Sequence, residues 1–398
     1  MAYRNLGEFL TDLEKRGQLH RVGVEVNPIL EMSEIAVRLV RRGGPAVLFE
    51  KPAGSAYPVA MNLFGARERL ELALGGRLED QAARLTTLLQ LPALRGWRDR
   101  LGALPRLAEL ASFFPRQVSR APCQEVVESH PSLADLPVLQ CWPGDGGRYI
   151  TLPLVITRDP VSGVRNMGMY RMQVFDERTA GMHWHLHKDG ARHATVKAGE
   201  RIPVAVALGG DPATIYAATA PLPAGIDELL LAGFLRRSPV EVVKGVSVDL
   251  EVPAEAEFVL EGYVVAGEVR EEGPFGDHTG YYSLAEPYPV FHLTALTHRR
   301  HPVYPTTVVG IPPMEDAFLG KATERLFLPL LQALVPDLVD LDLPVEGVFH
   351  NLVFVSIRKR YPGHARQVMH ALWGLGQLTF SKVIVVMDED VDVHDYRQ

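Results

Sequence analysis

The sequence predicts a mixed fold in three parts: an α/β unit over residues 1–118, an antiparallel β unit over 119–310, and α/β structure again over 311–398. Three observations point there. At 398 residues the chain exceeds what one hydrophobic core usually serves. Helical spacing of apolar residues is confined to the two ends, apart from one helix inside the middle. The middle otherwise carries short apolar or alternating runs bounded by Gly, Pro and Asp, the pattern of antiparallel strands curling into a barrel.

Taken in order, Leu6, Phe9, Leu10 and Leu13 fall on one face of a helix that ends at Gly17. Glu31 to Arg42 reads as a second helix, Ala46 to Phe49 as a short buried strand, and Ala66 to Leu74 as a third helix. From Leu85 to Arg120 the leucine-, arginine- and proline-rich text has no clean period and reads as short helices bridging two units. Strands are expected around Leu152–Ile156, Arg171–Phe175, Pro203–Ala207, Val240–Leu250, Phe258–Val265 and Val290–Thr297, with a helix over Gly225–Leu235. At the end, strand Leu352–Ile357, helix Ala365–Trp373 and buried strand Val383–Met387 make a βαβ unit.

The bulk numbers exclude several classes. Hydrophobic residues at 47% and charged residues at 22% are globular rather than disordered composition. A formal net charge of -7 with no long basic run argues against nucleic acid as a partner. Two cysteines, Cys123 and Cys141, are too few for a disulfide framework and fit a reducing compartment. No signal-like N-terminus and no apolar run of membrane-spanning length is present, so a cytoplasmic protein is expected.

The stretch from Glu268 to Tyr282 holds four carboxylates, an arginine and a histidine among three glycines and a proline. Glu272 and Asp277 would face opposite ways on a straight strand, but Gly273, Pro274 and Gly276 allow a turn that brings both acids into one cleft. Like charges in a low-dielectric cleft raise one pKa and make a general acid. An acidic surface turn is the competing reading.

Arg171, five residues after Asn166, is suited to grip a carboxylate through two parallel hydrogen bonds, against the alternative of a surface pair. His183, His185 and His187 alternate, and would share one face of a strand. A three-histidine zinc site lacks the usual flanking ligands; one histidine within an oxygen-rich set would suit Mn or Mg, and a solvated polar strand face is the alternative. Glu228 sits in the first turn of the predicted inner helix, where it either complements the helix dipole or holds a metal beside a phosphate. Lys382, just before the last strand, is either solvated or a phosphate contact.

Together, Asn166, Arg171, His187, Glu228 and the run Glu272-Gly-Pro-Phe-Gly-Asp277 resemble the UbiD family of decarboxylases. The resemblance extends over Asp145–Thr151, Val252–Glu255, Glu261–Tyr263 and Ser381–Lys382. It implies an N-terminal α/β domain, a central split β-barrel that binds the flavin and a C-terminal α/β segment. The implied activity is reversible removal of CO2 from an aromatic or α,β-unsaturated acid with prenylated FMN, polyprenyl-hydroxybenzoate in quinone biosynthesis being the namesake substrate. By the same resemblance a divalent metal, Mn2+ or Mg2+, falls to Asn166, His187 and Glu228 (His185 by a small shift of register), with K+ nearby. Lys382 falls on the flavin phosphate, and Arg171, Glu272 and Asp277 form the catalytic network; Asp277 is expected as the proton donor, protonated where the bound flavin and neighbouring Glu272 raise its pKa. Asp277 stands where several family members carry glutamate. Also implied are a flavin prenyltransferase as cofactor supplier and a homo-oligomer, dimer or hexamer.

The chain stops at Gln398 where family members generally continue, so a less complete cover over the site and a changed assembly are expected. Two other functions compete: a flavin-binding protein without turnover, and a metal-dependent hydrolase built on His183 to His187. The hydrolase needs His183, whereas the decarboxylase is expected to dispense with it.

Overall fold

The computed structural model describes residues 2–89, 105–159, 162–184, 199–222 and 225–397. The N-terminal unit begins as expected. Helix Leu6–Lys15 buries Leu6, Phe9, Leu10 and Leu13, and the Asn5 side chain caps it by accepting the Glu8 N–H at 3.0 Å. Strand Leu19–Val26 pairs in parallel with Ala46–Pro52 across helix Glu31–Arg41. Val59–Met61 then folds back antiparallel, and its other edge takes Tyr304–Pro305 in parallel. The chain therefore returns from its middle to finish the first sheet.

The central sheet has nine strands. Eight lie in the order Arg148–Ile150, Met172–Val174, Thr179–Met182, Glu286–His298, Phe258–Glu272, Arg201–Leu208, Pro153–Arg158, Arg165–Met169. Val126–Val127 pairs with Glu286–His298 off that path. Its pairs are antiparallel, and no ladder among the described residues joins Arg148–Ile150 to Arg165–Met169, so the sheet curls without closing.

Both faces of this sheet are covered, and that explains the sequence pattern. Along Arg201–Leu208, Ala205 and Ala207 enter one core with the N-terminal helix residues Leu6 and Phe9, while Val204, Val206 and Leu208 enter another with Phe258 and Phe291. A strand buried on both sides reads as a continuous apolar run rather than an alternation. Each fully buried Val or Leu there stabilises the fold by about 1.5–3 kcal/mol.

Two expectations change. The expected strand Val240–Leu250 is two shorter pieces, Glu241–Lys244 and Glu251–Pro253, that form a separate three-stranded sheet with Arg116–Val118. Ser247 and its neighbours turn between them because buried Glu261 accepts the N–H groups of Val246, Ser247 and Val248. At the C-terminal end, Leu352–Ile357 and Val383–Asp388 are parallel across helix His364–Trp373, as the βαβ reading requires. Val383–Asp388, however, is a sheet edge with Val383 and Val385 exposed rather than a fully buried strand.

Helix Glu315–Leu334 joins the parts and was not legible. It contains Pro329, and Met314 at its N-cap supplies no side-chain cap. Glu315 is buried and accepts the N–H groups of Asn62 and Phe64 and the Thr307 hydroxyl, locking this helix to the N-terminal unit. Among the described residues no helix is long and apolar enough to cross a membrane.

Candidate functional site

Glu272 is the last residue of strand Phe258–Glu272, where it pairs with Glu286, and its side chain is fully buried. An isolated carboxylate so placed would cost several kcal/mol, so its partners decide the site. Arg171, in the turn before Met172–Val174, donates from Nε to Oε1 at 3.0 Å and from Nη2 to Oε2 at 3.3 Å. Arg171 is itself held over the Phe275 ring at 4.3 Å, and its Nη2 also reaches the Ser283 hydroxyl at 3.4 Å. His183 Nδ1 lies 2.8 Å from Glu272 Oε2. An ionised carboxylate only accepts, so that nitrogen carries the proton. Burial pushes the Glu272 carboxyl up, but the hydrogen bonds from His183 and Arg171 outweigh it and hold it below the ordinary 4.5.

The turn after Glu272 is clamped by a second loop. Gly273 adopts φ +109°, open to glycine and strained for a side chain. Its N–H donates to Gln173 Oε1 at 2.8 Å, while Gln173 Nε2 donates to the Gly146 carbonyl at 2.8 Å. Gly146 N–H and the Tyr149 hydroxyl both donate to the Pro274 carbonyl, at 2.7 and 3.0 Å. A Cβ on Gly146 would lie 2.1 Å from the Gly273 oxygen, so only glycine permits this approach. Asp145 Oδ1 accepts the Gly276 N–H at 2.8 Å.

Beyond that turn comes Asp277. Its Oδ1 accepts the His278 N–H at 2.8 Å and lies 2.8 Å from His278 Nδ1. The neighbours of Asp277 in the chain itself oppose the expected rise of its pKa. Burial pushes the group up, but the contacts with His278, with a smaller contribution from Arg171, bring it below the ordinary 3.8. The like charge of Glu272 is offset by Arg171 and His183. His278 gains correspondingly. Burial alone would lower it, yet Asp277 and then Asp316 raise it above 6.5.

The candidate metal set is partly in view. Asn166 lies buried on strand Arg165–Met169, and its Nδ2 has no hydrogen-bond partner. Glu228 Oε2 accepts the N–H of Met167, the next residue, at 2.9 Å, so the Glu228 carboxylate sits one residue from Asn166. Glu228 opens helix Glu228–Arg236, which Asp227 caps while also pairing with Arg165 at 2.5 Å. His187 and His185 lie outside the described residues. Within the described residues no group of three or more His, Cys, Asp or Glu converges as a metal site. On an extended chain the five residues from Asn166 to Arg171 span no more than about 17 Å. Lys382 is exposed, its N–H on the Asn351 carbonyl at 2.8 Å, beside His350, whose ring lies 5.1 Å from that of His278.

His183, expected to be dispensable, is one of the two side chains that hold Glu272 among the described residues. Its alternation with His185 and His187 suggested only a metal, so the sequence misdirected. Asp145, Gln173 and Ser283 were missed because each has a partner about a hundred or more positions away in the chain, Gly276, Gly273 and Arg171 respectively. Gly146 beside Asp145 was the available signal.

Sequence models of three domains of 3-octaprenyl-4-hydroxybenzoate carboxy-lyase match: the N-terminal domain over 10–90, the Rift-related domain over 116–312 and the C-terminal domain over 317–398. The chain belongs to the UbiD family. It is thus a carboxy-lyase of mixed α/β fold with a curled half-barrel sheet, as the UbiD-class structures have. An uncharacterised protein of Archaeoglobus fulgidus is 56% identical over 402 residues, covering 100% of this chain and 83% of that one. The structure of an evolved dimeric form of the UbiD-class enzyme HmfF from Pelotomaculum thermopropionicum, in complex with prFMN, superimposes with a TM-score of 0.83 at 32% identity, covering 99% and 88% of the two chains. The vanillic acid decarboxylase of Sedimentibacter hydroxybenzoicus in closed form gives 0.86 at 30% identity, covering 100% and 83%.

Proposed function

We propose that this UbiD-family chain catalyses the reversible, non-oxidative decarboxylation of an aromatic or α,β-unsaturated carboxylic acid with prenylated FMN. The observation that carries the reading is the buried Arg171–Glu272 pair, gripped on its far side by His183. Its setting, a UbiD-class fold related to complexes with prFMN, supports the cofactor.

Asn166, Glu228 and His187 would hold a divalent metal, Mn2+ or Mg2+, against the flavin phosphate, with K+ nearby and Lys382 on the same phosphate. The residues in view fit that role: Asn166 is buried and offers an amide oxygen, and the Glu228 carboxylate is anchored next to it by the Met167 N–H. When bound, the prenylated flavin supplies an electron sink for the carbon that loses CO2. The chain does the rest. Arg171 orients Glu272 and offers positive charge to the substrate carboxylate. Glu272, kept ionised by Arg171 and His183, holds both in place, and the Phe275 ring fixes the guanidinium plane. The turn bearing Asp277 brings the proton that replaces CO2.

Polyprenyl-hydroxybenzoate is one candidate substrate. A flavin prenyltransferase as cofactor supplier, a cytoplasmic location, a homo-oligomeric assembly and domain limits at 1–118, 119–310 and 311–398 belong to the same proposal. The test is protein co-produced with a flavin prenyltransferase in the presence of Mn2+ and K+, examined by absorbance and intact-cofactor mass spectrometry. A panel of aromatic acids is then assayed for CO2 release. Prenylated FMN near one per chain with turnover of at least one acid is expected. Folded protein that takes up no flavin would overturn the reading.

A further inference from the structure

We propose that His278 is a positioning residue that stores the proton Asp277 delivers, so that the two act as one acid. The inference rests on the decarboxylase reading.

Asp277 alone is poorly suited to the task. The contacts with His278 hold its carboxyl below the ordinary carboxylate range and favour the ionised form. A general acid works best when its pKa lies near the working pH. His278 is shifted the other way, toward holding its proton, and its geometry couples it to Asp277. Its backbone N–H and its Nδ1 both converge on Asp277 Oδ1 at 2.8 Å, so the carboxylate is oriented and proton-linked through one oxygen.

Every element packed on His278 bears on its charge. From its own turn comes Asp277, and from the start of helix Glu315–Leu334 comes Asp316, both favouring the imidazolium. From the turn before Met172–Val174 comes the opposing charge of Arg171. From the loop before Leu352–Ile357 come the Phe349 ring at 5.5 Å and the His350 ring at 5.1 Å, the latter edge-on at 78°. Burial first, and then the charge on His278, lower the pKa of His350, so it does not compete for the proton. That loop presents its rings through strained backbone: Val348 and Phe349 both have positive φ, +56° and +43°. Side chains rarely adopt this region, and such strain gathers where structure serves function.

The His278 Nδ1–H bond breaks as Oδ1–H forms on Asp277. Oδ1–H then breaks as a C–H bond forms at the carbon vacated by CO2. Asp277 returns to carboxylate, and neutral His278 regains one proton from water.

The test compares wild type and His278→Gln, both carrying the cofactor, by kcat against pH on an acid from the panel. In the wild type kcat falls as pH rises through the His278 titration. In His278→Gln kcat at pH 7 falls by about 10- to 100-fold, KM and flavin content hold, and the alkaline limb moves to lower pH. Superimposable profiles would overturn the proposal. A second readout needs no turnover: the His278 ring is titrated by NMR in wild type and in Asp277→Asn, with a lower His278 pKa expected in the variant. An unchanged titration overturns the proposal even if His278→Gln fails to fold. A wild type inactive on every acid, with His278 still coupled to Asp277, would sink the decarboxylase reading alone.

Discussion

The carboxylate of Asp145 joins the two loops that build the site: Oδ2 accepts the N–H groups of Cys141 and Trp142 at 3.0 and 2.8 Å, and Oδ1 accepts that of Gly276 at 2.8 Å. Asp145 is buried, and so are its bonds from Cys141 and Gly276, so those two donors have no water to fall back on. Gly276 stands one residue before Asp277, which means the proton-delivering turn is aimed by a residue over a hundred positions upstream. Gln173 does the same at the other end of the turn, between Gly146 and Gly273.

Replacing Asp145 by Asn leaves one accepting oxygen where two are used. At least one buried N–H then goes unmet, at a cost of about 1–3 kcal/mol. The melting temperature should fall by a few degrees. Because the lost bond sets the Gly276 turn, kcat should fall more steeply than stability explains. Paired thermal melts and steady-state kinetics check this. A variant that melts early but keeps wild-type kcat would show Asp145 to be structural only.

Arg171→Lys keeps the charge and loses the fork. Lysine cannot donate two parallel bonds to Glu272 while stacking on Phe275, so Glu272 stays ionised through His183 but is no longer aimed. The expected result is a loss of about 10²-fold or more in kcat with flavin content retained. Retained kcat would mean that positive charge alone suffices.

What was legible followed from local periodicity and from chemistry-bearing residues close in sequence. Leu6, Phe9, Leu10 and Leu13 announce their helix because one face is buried and the other wet, and Glu272-Gly-Pro-Phe-Gly-Asp277 announces its turn through residues that only a turn needs. Helix Glu315–Leu334 was hidden by Pro329 and an uncapped start, and Leu19–Val26 by its largely exposed surface, which leaves no apolar run. The partners that set the Asp277 pKa were not legible because counting acids in a stretch says nothing of where each finds its cation. Glu272 finds Arg171 a hundred residues away, and Asp277 finds the very next residue.

Glu228→Gln separates metal binding from folding. The amide oxygen still accepts the Met167 N–H, so the start of helix Glu228–Arg236 should hold, while the negative charge beside Asn166 is lost. Metal affinity should drop by at least about tenfold, since even outer-shell changes cost that much. Flavin content after dialysis is the readout. Wild type should lose flavin with a chelator and regain it with Mn2+, and the variant should not regain it. Equal flavin retention in both would remove Glu228 from the metal set.

Glu257 gives a pH dependence away from the site. It is buried, accepts the Val303 N–H at 3.0 Å, and has only a distant cation in Arg299 at 3.9 Å. Burial therefore pushes its carboxyl from 4.5 up to about 7. A raised folded-state pKa means the folded protein binds this proton more tightly than the unfolded chain. The resulting stability is present below about pH 4.5 and is lost as pH rises through 7. Its size is up to about 3 kcal/mol. Glu257→Gln carries a neutral side chain at every pH, so it should match wild type near pH 4.5 and melt higher than wild type at pH 8. Asp316, also pushed up to about 7 by burial, titrates equally in both proteins and cancels from the difference. Melting temperatures for the pair at several pH values decide the matter: a gap that does not widen between pH 4.5 and 8 would mean Glu257 is ionised in the folded protein throughout.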